Sequence, residues 1–357
     1  MKGLLLAGGH GTRLRPLTST GNKHMIPIAN QPILFYGLKQ LARVGVIEVG
    51  IVLGPLREGI REAVGTGESL GLKVTYIEQG PPRGLADAVR CAREFLGGEH
   101  FVMYLGDNIL ENGLEPFIEL SRREHADAVV GVTPVADPHR YGIVEMDGDR
   151  IVSIEEKPRN PRSNLALVGV YVFSPKVHEV IEHLPLSNRG ELEITDAIRT
   201  MNSAGLRVAA LRVFGWWKDT GAPEDLLEAN DLVLNSLPPA AFVRSGKVHE
   251  GATVSGNVAL GVGSVVESGA SVLGPAVIGR DARIGPGSLV GPGVAIGNQV
   301  ELVGCSVRRT IILDGARVVG SVGICDSLIG RNSDVRGHHT RDRETSLIIG
   351  DGSRVRL

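Results

Sequence analysis

The sequence predicts two domains of different class: an α/β domain on a mostly parallel sheet over residues 1–240, and a β-solenoid over residues 241–357. Three observations carry this. The chain has 357 residues, more than one ordinary core accommodates. Up to about Asn235, short apolar runs alternate with stretches of helical periodicity, the pattern of a parallel sheet covered by helices. Beyond about Val243 a six-residue repeat replaces that alternation.

Taken in order, residues 3–7 are an apolar run that predicts the first strand. Residues 33–44 place Ile33, Leu34, Leu38, Leu41 and Val44 on one helical face. Strands are expected at 49–53 and 74–77 with a short helix at 57–64 between them. A helix over 85–96 follows, then a strand over 101–105 that ends at Gly106-Asp107-Asn108. A helix near 114–123 leads to a strand at 128–132. Residues 141–147 and 151–156 flank Gly148 like a hairpin, and 166–173 is a continuous apolar strand. The domain closes with a helix at 194–203, a strand at 208–214, and a helix at 223–235 with proline in its first turn.

In the second domain Val248, Val254, Leu260, Val266, Val272, Ile278, Ile284, Val290, Ile296 and Leu302 are all aliphatic and six apart. That period fits neither a helix nor one alternating strand. It fits a coil in which each hexad forms one flat side and the aliphatics stack inward. The register slips at Arg308 and resumes at Ile312 and Val318, Ile329 and Val335, and Ile349 and Val355. An irregular loop is expected over 336–344 and a capping strand at the end. The pattern resembles the hexapeptide-repeat left-handed β-helix, and the hand is implied by that resemblance alone, against the usual right-handed crossover.

Composition narrows the function. The chain is 42% hydrophobic and 22% charged with a net charge of −2, so no broad basic surface exists to track a nucleic acid. Cys91, Cys305 and Cys325 are odd in number and lack any CxxC pattern, which points to buried thiols in a reducing compartment and away from a zinc site. The apolar run at the start is shorter than the roughly 7–15 residues of a signal-peptide core. No run approaches the roughly 20 apolar residues of a membrane span. A cytoplasmic protein without a membrane partner is expected.

The stretch that points to chemistry is LAGGHGTRLRPLT, residues 6–18, directly after the first strand. Gly8, Gly9 and Gly11 let the backbone turn and expose N–H groups, which bind phosphate. Arg13 and Arg15 add planar forks, and Lys23 a mobile point charge. The run is not a P-loop, since no Gly-Lys-Ser/Thr follows, and not a dinucleotide fingerprint, since Leu14 stands where a third glycine belongs. It resembles the signature of the sugar-1-phosphate nucleotidylyltransferases, G-G-x-G-T-R-L followed by K-x-x-x-P, here Lys23 to Pro27.

That resemblance implies a Rossmann-like nucleotidyltransferase domain in which a sugar-1-phosphate oxygen attacks the α-phosphorus of a nucleoside triphosphate. It places the nucleotide on Leu6, Gly8, Gly9, Gly11, Thr12 and Arg13, with Arg13 toward the leaving pyrophosphate. Asp107 in LGDN and Asp219 in WWKDTG would hold Mg²⁺, which takes one or two carboxylates plus phosphate oxygens. Lys157 of EEKP would meet the sugar phosphate and Glu156 the sugar hydroxyls. Arg13, Lys23, Asp107 and Lys157 are thereby the candidate catalytic residues. Asn108, Tyr141, Gly142, Val168 and Tyr171 would line the sugar side, although Tyr171 fits the core equally well. Gln79 and Gly84 in EQGPPRGLADA would read a pyrimidine edge. Glu191 or Glu193 in RGELEITD would lie near the sugar, or cap the helix that follows.

Within the family, NKHMIPIANQPI, PPRGLADA and the long repeat tail most resemble the thymidylyl-transferring branch, which implies dTTP and glucose 1-phosphate as substrates and dTDP-glucose as product. One methyl separates thymine from uracil, worth about 1–3 kcal/mol, so UTP stays open. Two other readings differ in class. The coil could carry an acetyltransferase using acetyl-CoA, with His249, His338 or His339 at the site. A non-catalytic assembly subunit would show a damaged site, yet Arg13, Lys23, Asp107, Lys157 and Asp219 are all present. The stacked repeat with open ends predicts a homo-oligomer of unspecified order.

Overall fold

The computed structural model describes residues 1–338 and 344–357. It divides into two compact units, one of residues 1–10 and 33–219, the other of residues 11–32 and 220–357.

The first unit is built on a nine-stranded sheet. Lys2–Ala7 lies at its centre, parallel to Glu48–Leu53 and to Phe101–Leu105, and Glu48–Leu53 continues parallel to Lys73–Glu78. Four of the residues of Lys2–Ala7 have no exposed surface (Leu4, Leu5 and Ala7) or almost none (Leu6), as expected for a strand covered on both faces. Leu165–Phe173 then runs antiparallel to Phe101–Leu105, Ala128–Pro134 and Gly142–Asp147, so the sheet is parallel on one side and mixed on the other. The hairpin around Gly148 pairs Gly142–Asp147 with Arg150–Glu156. The expected helix over 85–96 is two helices, Leu85–Cys91 and Arg93–Leu96. Two features were not expected: a helix at Lys176–Glu182, and a small antiparallel pair of Asn108–Leu110 with Trp217–Asp219. Cys91, expected to be buried, is exposed, because the buried face of its helix is Ala86, Asp87, Ala88 and Val89. Cys305 and Cys325 are buried thiols.

The second unit contains the coil. Val248 pairs with Val266, Val266 with Ile284, and Ile284 with Leu302, all in parallel register, so three hexads complete one turn. The aliphatics of the ladder form one inward cluster. After Leu302 the turns shorten: Leu302 pairs with Val318 and Val318 with Val335, and one corner is lost as Ser306–Ile312 runs as a single strand across two sides. That is the physical form of the register slip at Arg308. Ile312 pairs with Ile329 and Ile329 with Ile349, and Arg354–Arg356 closes the coil. This parallel coil agrees with a left-handed β-helix. Of the stretch expected as a loop over 336–344, Arg336 and Gly337 lie in the strand Asp334–Gly337 and Glu344 in the strand Glu344–Thr345. His339, Arg341 and Arg343 lie outside the described residues; His338 is exposed and His249 half-buried.

The packing units do not follow a cut at residue 240. Residues 11–32 and the helix Pro223–Ser236 belong with the coil. Asn230 on that helix is fully buried; its side chain accepts from Ala29 N (2.9 Å) and donates to Gly293 O (3.2 Å). Asn30 Nδ2 donates to Ile296 O at 2.6 Å, and Thr20 Oγ1 to Asp351 at 2.8 Å. Ala29 and Asn30, both at positive φ, turn the short hairpin of Pro27–Ile28 and Gln31–Pro32. Among the described residues no helix is long and apolar enough to cross a membrane.

Candidate functional site

Gly8, Gln79 and Asp107 stand at the carboxyl ends of the parallel strands Lys2–Ala7, Lys73–Glu78 and Phe101–Leu105, where α/β sheets bind ligands. Leu6, on the first strand, is buried, and its carbonyl accepts from Gly106 N at 2.9 Å. Gly8 follows immediately. Its carbonyl lies so close to Gly54 that a Cβ on Gly54 would stand 2.3 Å away, and a Cβ on Gly8 would stand 3.1 Å from Gln79 Oε1. The start of the loop is therefore hemmed in by the backbone of Gly54 on one side and the Gln79 side chain on the other.

The rest of the loop belongs to the second unit. Gly11 takes φ +63°, and a side chain there would meet Lys23 Cβ and Thr18 Cγ2 at 3.0 and 3.1 Å. Thr18 Oγ1 donates to Gly11 O at 2.7 Å. Thr12–Leu14 is a 3-10 turn with Leu14 buried, which leaves Arg13 exposed. Lys23–Met25 is a second such turn, capped by Asn22, whose side chain accepts from His24 N. Both cations thus stand on short turns, that of Lys23 capped by a side chain.

Back in the first unit, the small strand pair positions the carboxylates. Asp219 is the register partner of Asn108, and so lies across from the residue next to Asp107. Asn108 is 2 % exposed. Its Oδ1 accepts from Trp217 Nε1 at 2.7 Å and from Gly169 N at 3.2 Å, and its Nδ2 donates to Asp107 Oδ1 at 3.0 Å. Asn108, expected on the sugar side, is buried and holds Asp107 through its amide. Gly169 is glycine for the same reason: a Cβ would strike Asn108 Oδ1 at 2.7 Å.

Both metal candidates are hard oxygen donors, and among the described residues no three His, Cys, Asp or Glu side chains converge into a protein-only cage. This set fits a cation that takes its remaining ligands from phosphate and water, as Mg²⁺ does, and does not fit structural zinc.

Glu156 and Lys157 line a cleft of about 1090 Å³. Lys157 has φ +46°, rare for a lysine, and its N–H donates to Tyr141 O at 3.0 Å. Lys157 Nζ and Arg189 Nη1 approach Glu156 Oε1 at 3.3 and 3.4 Å. Arg189 also contacts Glu191 at 3.3 Å and Glu193 at 3.2 Å. Glu193 accepts from Ser187 Oγ at 3.1 Å. Burial, and then the charge of Glu156, push its carboxyl above the ordinary range. It makes no side-chain cap to the helix Ile194–Ser203. Arg189, which the sequence reading passed over, is the shared partner of three carboxylates.

Gly142 leaves room for two neighbours, since a Cβ would stand 2.6 Å from Thr195 Cγ2 and 3.1 Å from Glu156 Oε2. Thr195 Oγ1 is buried with no hydrogen-bond partner among the described residues. Tyr141 packs edge-on against Trp217, with centroids 5.4 Å apart. Val168 and Tyr171 have their side chains in the core, Tyr171 stacked on Phe173 at 5.8 Å. For Tyr171 the core reading holds. Gln79, 9 % exposed, donates through Nε2 to Gly84 O at 3.3 Å and Asp87 Oδ2 at 2.9 Å. Gly84 takes φ +104°, and a side chain there would strike Leu192 O at 2.3 Å.

Comparison with known proteins shows the family of the chain. Residues 2–236 match the nucleotidyl transferase family model, and residues 272–356 match that of the GMPPB C-terminal domain. A glucose-1-phosphate thymidylyltransferase of Streptomyces antibioticus is 41% identical, covering 100% of this chain and 99% of its own. A low-salt glycan biosynthesis nucleotidyltransferase of Haloferax volcanii is also 41% identical, with both chains fully covered. Among solved structures, a Bacillus anthracis protein assigned as a glucose-1-phosphate thymidylyltransferase aligns with a TM-score of 0.62 at 35% identity, over 65% of this chain and 94% of that one. UDP-glucose pyrophosphorylase complexed with UDP-glucose aligns at 0.60 and 25% identity, over 66% and 99%. The chain belongs to the nucleotidyl transferase family and is a sugar-1-phosphate nucleotidyltransferase.

Proposed function

We propose that this chain transfers a thymidylyl group from dTTP to glucose 1-phosphate, giving dTDP-glucose and pyrophosphate, with Mg²⁺ as the divalent metal. The observation that carries the reading is the strand pair that sets Asp219 across from Asn108 while Asn108 holds Asp107. The full-length likeness to a thymidylyltransferase supports the choice of nucleotide.

In the step itself an oxygen of the sugar phosphate forms a bond to the α-phosphorus, and the bond from that phosphorus to the bridging oxygen of the pyrophosphate breaks. Both reactants are anions, so the protein has to cancel repulsion and hold the oxygens in line. Mg²⁺, held by Asp107 and Asp219, would neutralise charge on the phosphates. Exposed N–H groups at Gly8, Gly9 and Gly11, with Thr12, Arg13 and Lys23, would receive the triphosphate. Lys157 and Arg189 would take the sugar phosphate, which draws them from Glu156 and frees that carboxylate for sugar hydroxyls. The unpartnered Thr195 hydroxyl beside Gly142 is a further group for the sugar to satisfy.

A second reading keeps the mechanism and uses UTP; the likeness to a UDP-glucose pyrophosphorylase favours it. The test is pyrophosphate release with glucose 1-phosphate, metal and either dTTP or UTP. A higher kcat/KM with dTTP supports the proposal, and a higher value with UTP replaces it. We also read the protein as a cytoplasmic homo-oligomer, to be checked by light scattering of the purified chain.

A further inference from the structure

Gln79 is held by two groups that can only accept hydrogen bonds. One is the carbonyl of Gly84, at 3.3 Å. The other is the carboxylate of Asp87, at 2.9 Å. Asp87 is 4 % exposed, and its second oxygen accepts from Arg90 Nη2. An amide facing two acceptors must present its nitrogen to them. Oε1 is thereby turned the other way, toward Gly8, whose missing side chain leaves that side open. Among the described residues no protein group donates to Oε1, and the N–H of Gly84 has no protein acceptor. The segment therefore offers one acceptor and one donor side by side.

We infer that Asp87 is a positioning residue which fixes the polarity of the Gln79 amide, and that this polarity selects pyrimidines carrying N3–H, thymine and uracil, over cytosine. The inference rests on the proposed role of Gln79 and Gly84 at the pyrimidine edge. In that pose N3 of the base faces Oε1. The imide N–H of thymine or uracil donates to it, whereas N3 of cytosine carries a lone pair and meets the oxygen acceptor to acceptor. A buried mismatch of that kind leaves polar groups unpaired on both partners and is rejected strongly. Freed from Asp87, the amide can turn over and offer its nitrogen to cytosine instead.

A merely local role for Asp87 has a different signature. Asp87 lies in the first turn of the helix Leu85–Cys91, where a carboxylate is favourable, and it pairs with Arg90 three residues on. Loss of those contacts lowers the melting temperature but leaves base discrimination untouched.

The test is the ratio of kcat/KM for UTP to that for CTP, with one sugar phosphate and one metal, in the full chain. The wild type is expected to favour UTP by about a hundredfold or more, and Asp87→Asn to cut that ratio by about tenfold or more. An unchanged ratio in a folded Asp87→Asn protein overturns the inference. Should that variant fail to fold, Asp87→Ala, which removes the acceptor and introduces no donor, is read by the same ratio: a fall of about tenfold or more is expected, and an unchanged ratio overturns the inference. A wild type that releases pyrophosphate with neither UTP nor dTTP sinks the reading of the site itself, and this inference with it.

Discussion

At the scale of single residues, the strongest expectation concerns Asp107 and Asp219. Replacing either by Ala removes a hard ligand from a site with only two, and we expect turnover to fall about a thousandfold, roughly 4 kcal/mol of transition-state stabilisation. A loss below tenfold at saturating Mg²⁺ removes that residue from the metal site. Chelation of the metal from the wild type should match that loss and be reversed by added Mg²⁺. A separate expectation attaches to His178, far from this chemistry. Its ring stacks on Phe101 at 5.9 Å, and its Nε2 is buried without a hydrogen-bond partner among the described residues. Burial, and secondly Arg93, pull its pKa below the ordinary 6.5. The unfolded chain therefore binds a proton before the folded one does, and stability present above about pH 6.5 is lost as the pH falls below it. Melting between about pH 7.5 and 5.5 should drop less in His178→Phe than in wild type; equal drops in the two would show that His178 does not carry the effect.

These residues also mark how far the sequence could be read. Asp107 and Asp219 stood out in the sequence because each sits within a short motif, LGDN and WWKDTG. The support around Asp107 did not, because Asn108 acts through Trp217, brought to it by a strand pair of three residues a side, and through Gly169 on the strand Leu165–Phe173, both distant in the chain. Arg189 was passed over for a similar reason: its three carboxylate partners come together only when the Arg150–Glu156 strand and the start of the Ile194–Ser203 helix are in place. Tyr171, undecided from sequence, is settled by the ring of Phe173 beneath it.

At the scale of elements, periodicity predicted what long-range pairing did not disturb. The ladder of aliphatics was legible hexad by hexad, and even its slip at Arg308 has a counterpart in the merged strand Ser306–Ile312. The hairpin at Ala29-Asn30 was not, since that pair is a weak turn signal beside Asn-Gly. It is held from outside, by Asn230. Asn230→Ala would strand the N–H of Ala29 and the carbonyl of Gly293 in a buried place, and we expect a loss of about 2–4 kcal/mol, read as a lower denaturation midpoint. By contrast, Arg283 and Arg317 meet Glu267 and Glu301 in exposed pairs on the coil's outer face, and each such pair contributes under about 1 kcal/mol.

At the scale of the whole molecule, the chain's family boundary and its packing boundary differ. The family model ends at residue 236, whereas residues 11–32 pack with the coil. A chain cut at residue 240 keeps every candidate catalytic residue but loses Gly293, Ile296 and Asp351, the coil groups that anchor the segment carrying Arg13 and Lys23. We expect the cut chain to lose at least about a hundredfold in kcat/KM. Near-normal activity would show that the segment is ordered without the coil.

The coil also obeys a counting rule. From Val248 to Leu302 one turn consumes three hexads, so the length of that stretch changes without disturbing register in steps of a full turn, as a screw advances by its pitch. Duplicating three hexads before Val290 would add a turn and return every later side chain to its own side. Adding one hexad would rotate everything downstream by a third of a revolution and carry Ile296 and Asp351 away from Asn30 and Thr20. The reading frame of that regular stretch is thus eighteen residues wide, six times the codon's three-letter frame, whereas the turns after Leu302 take 16 and 17 residues by giving up a corner.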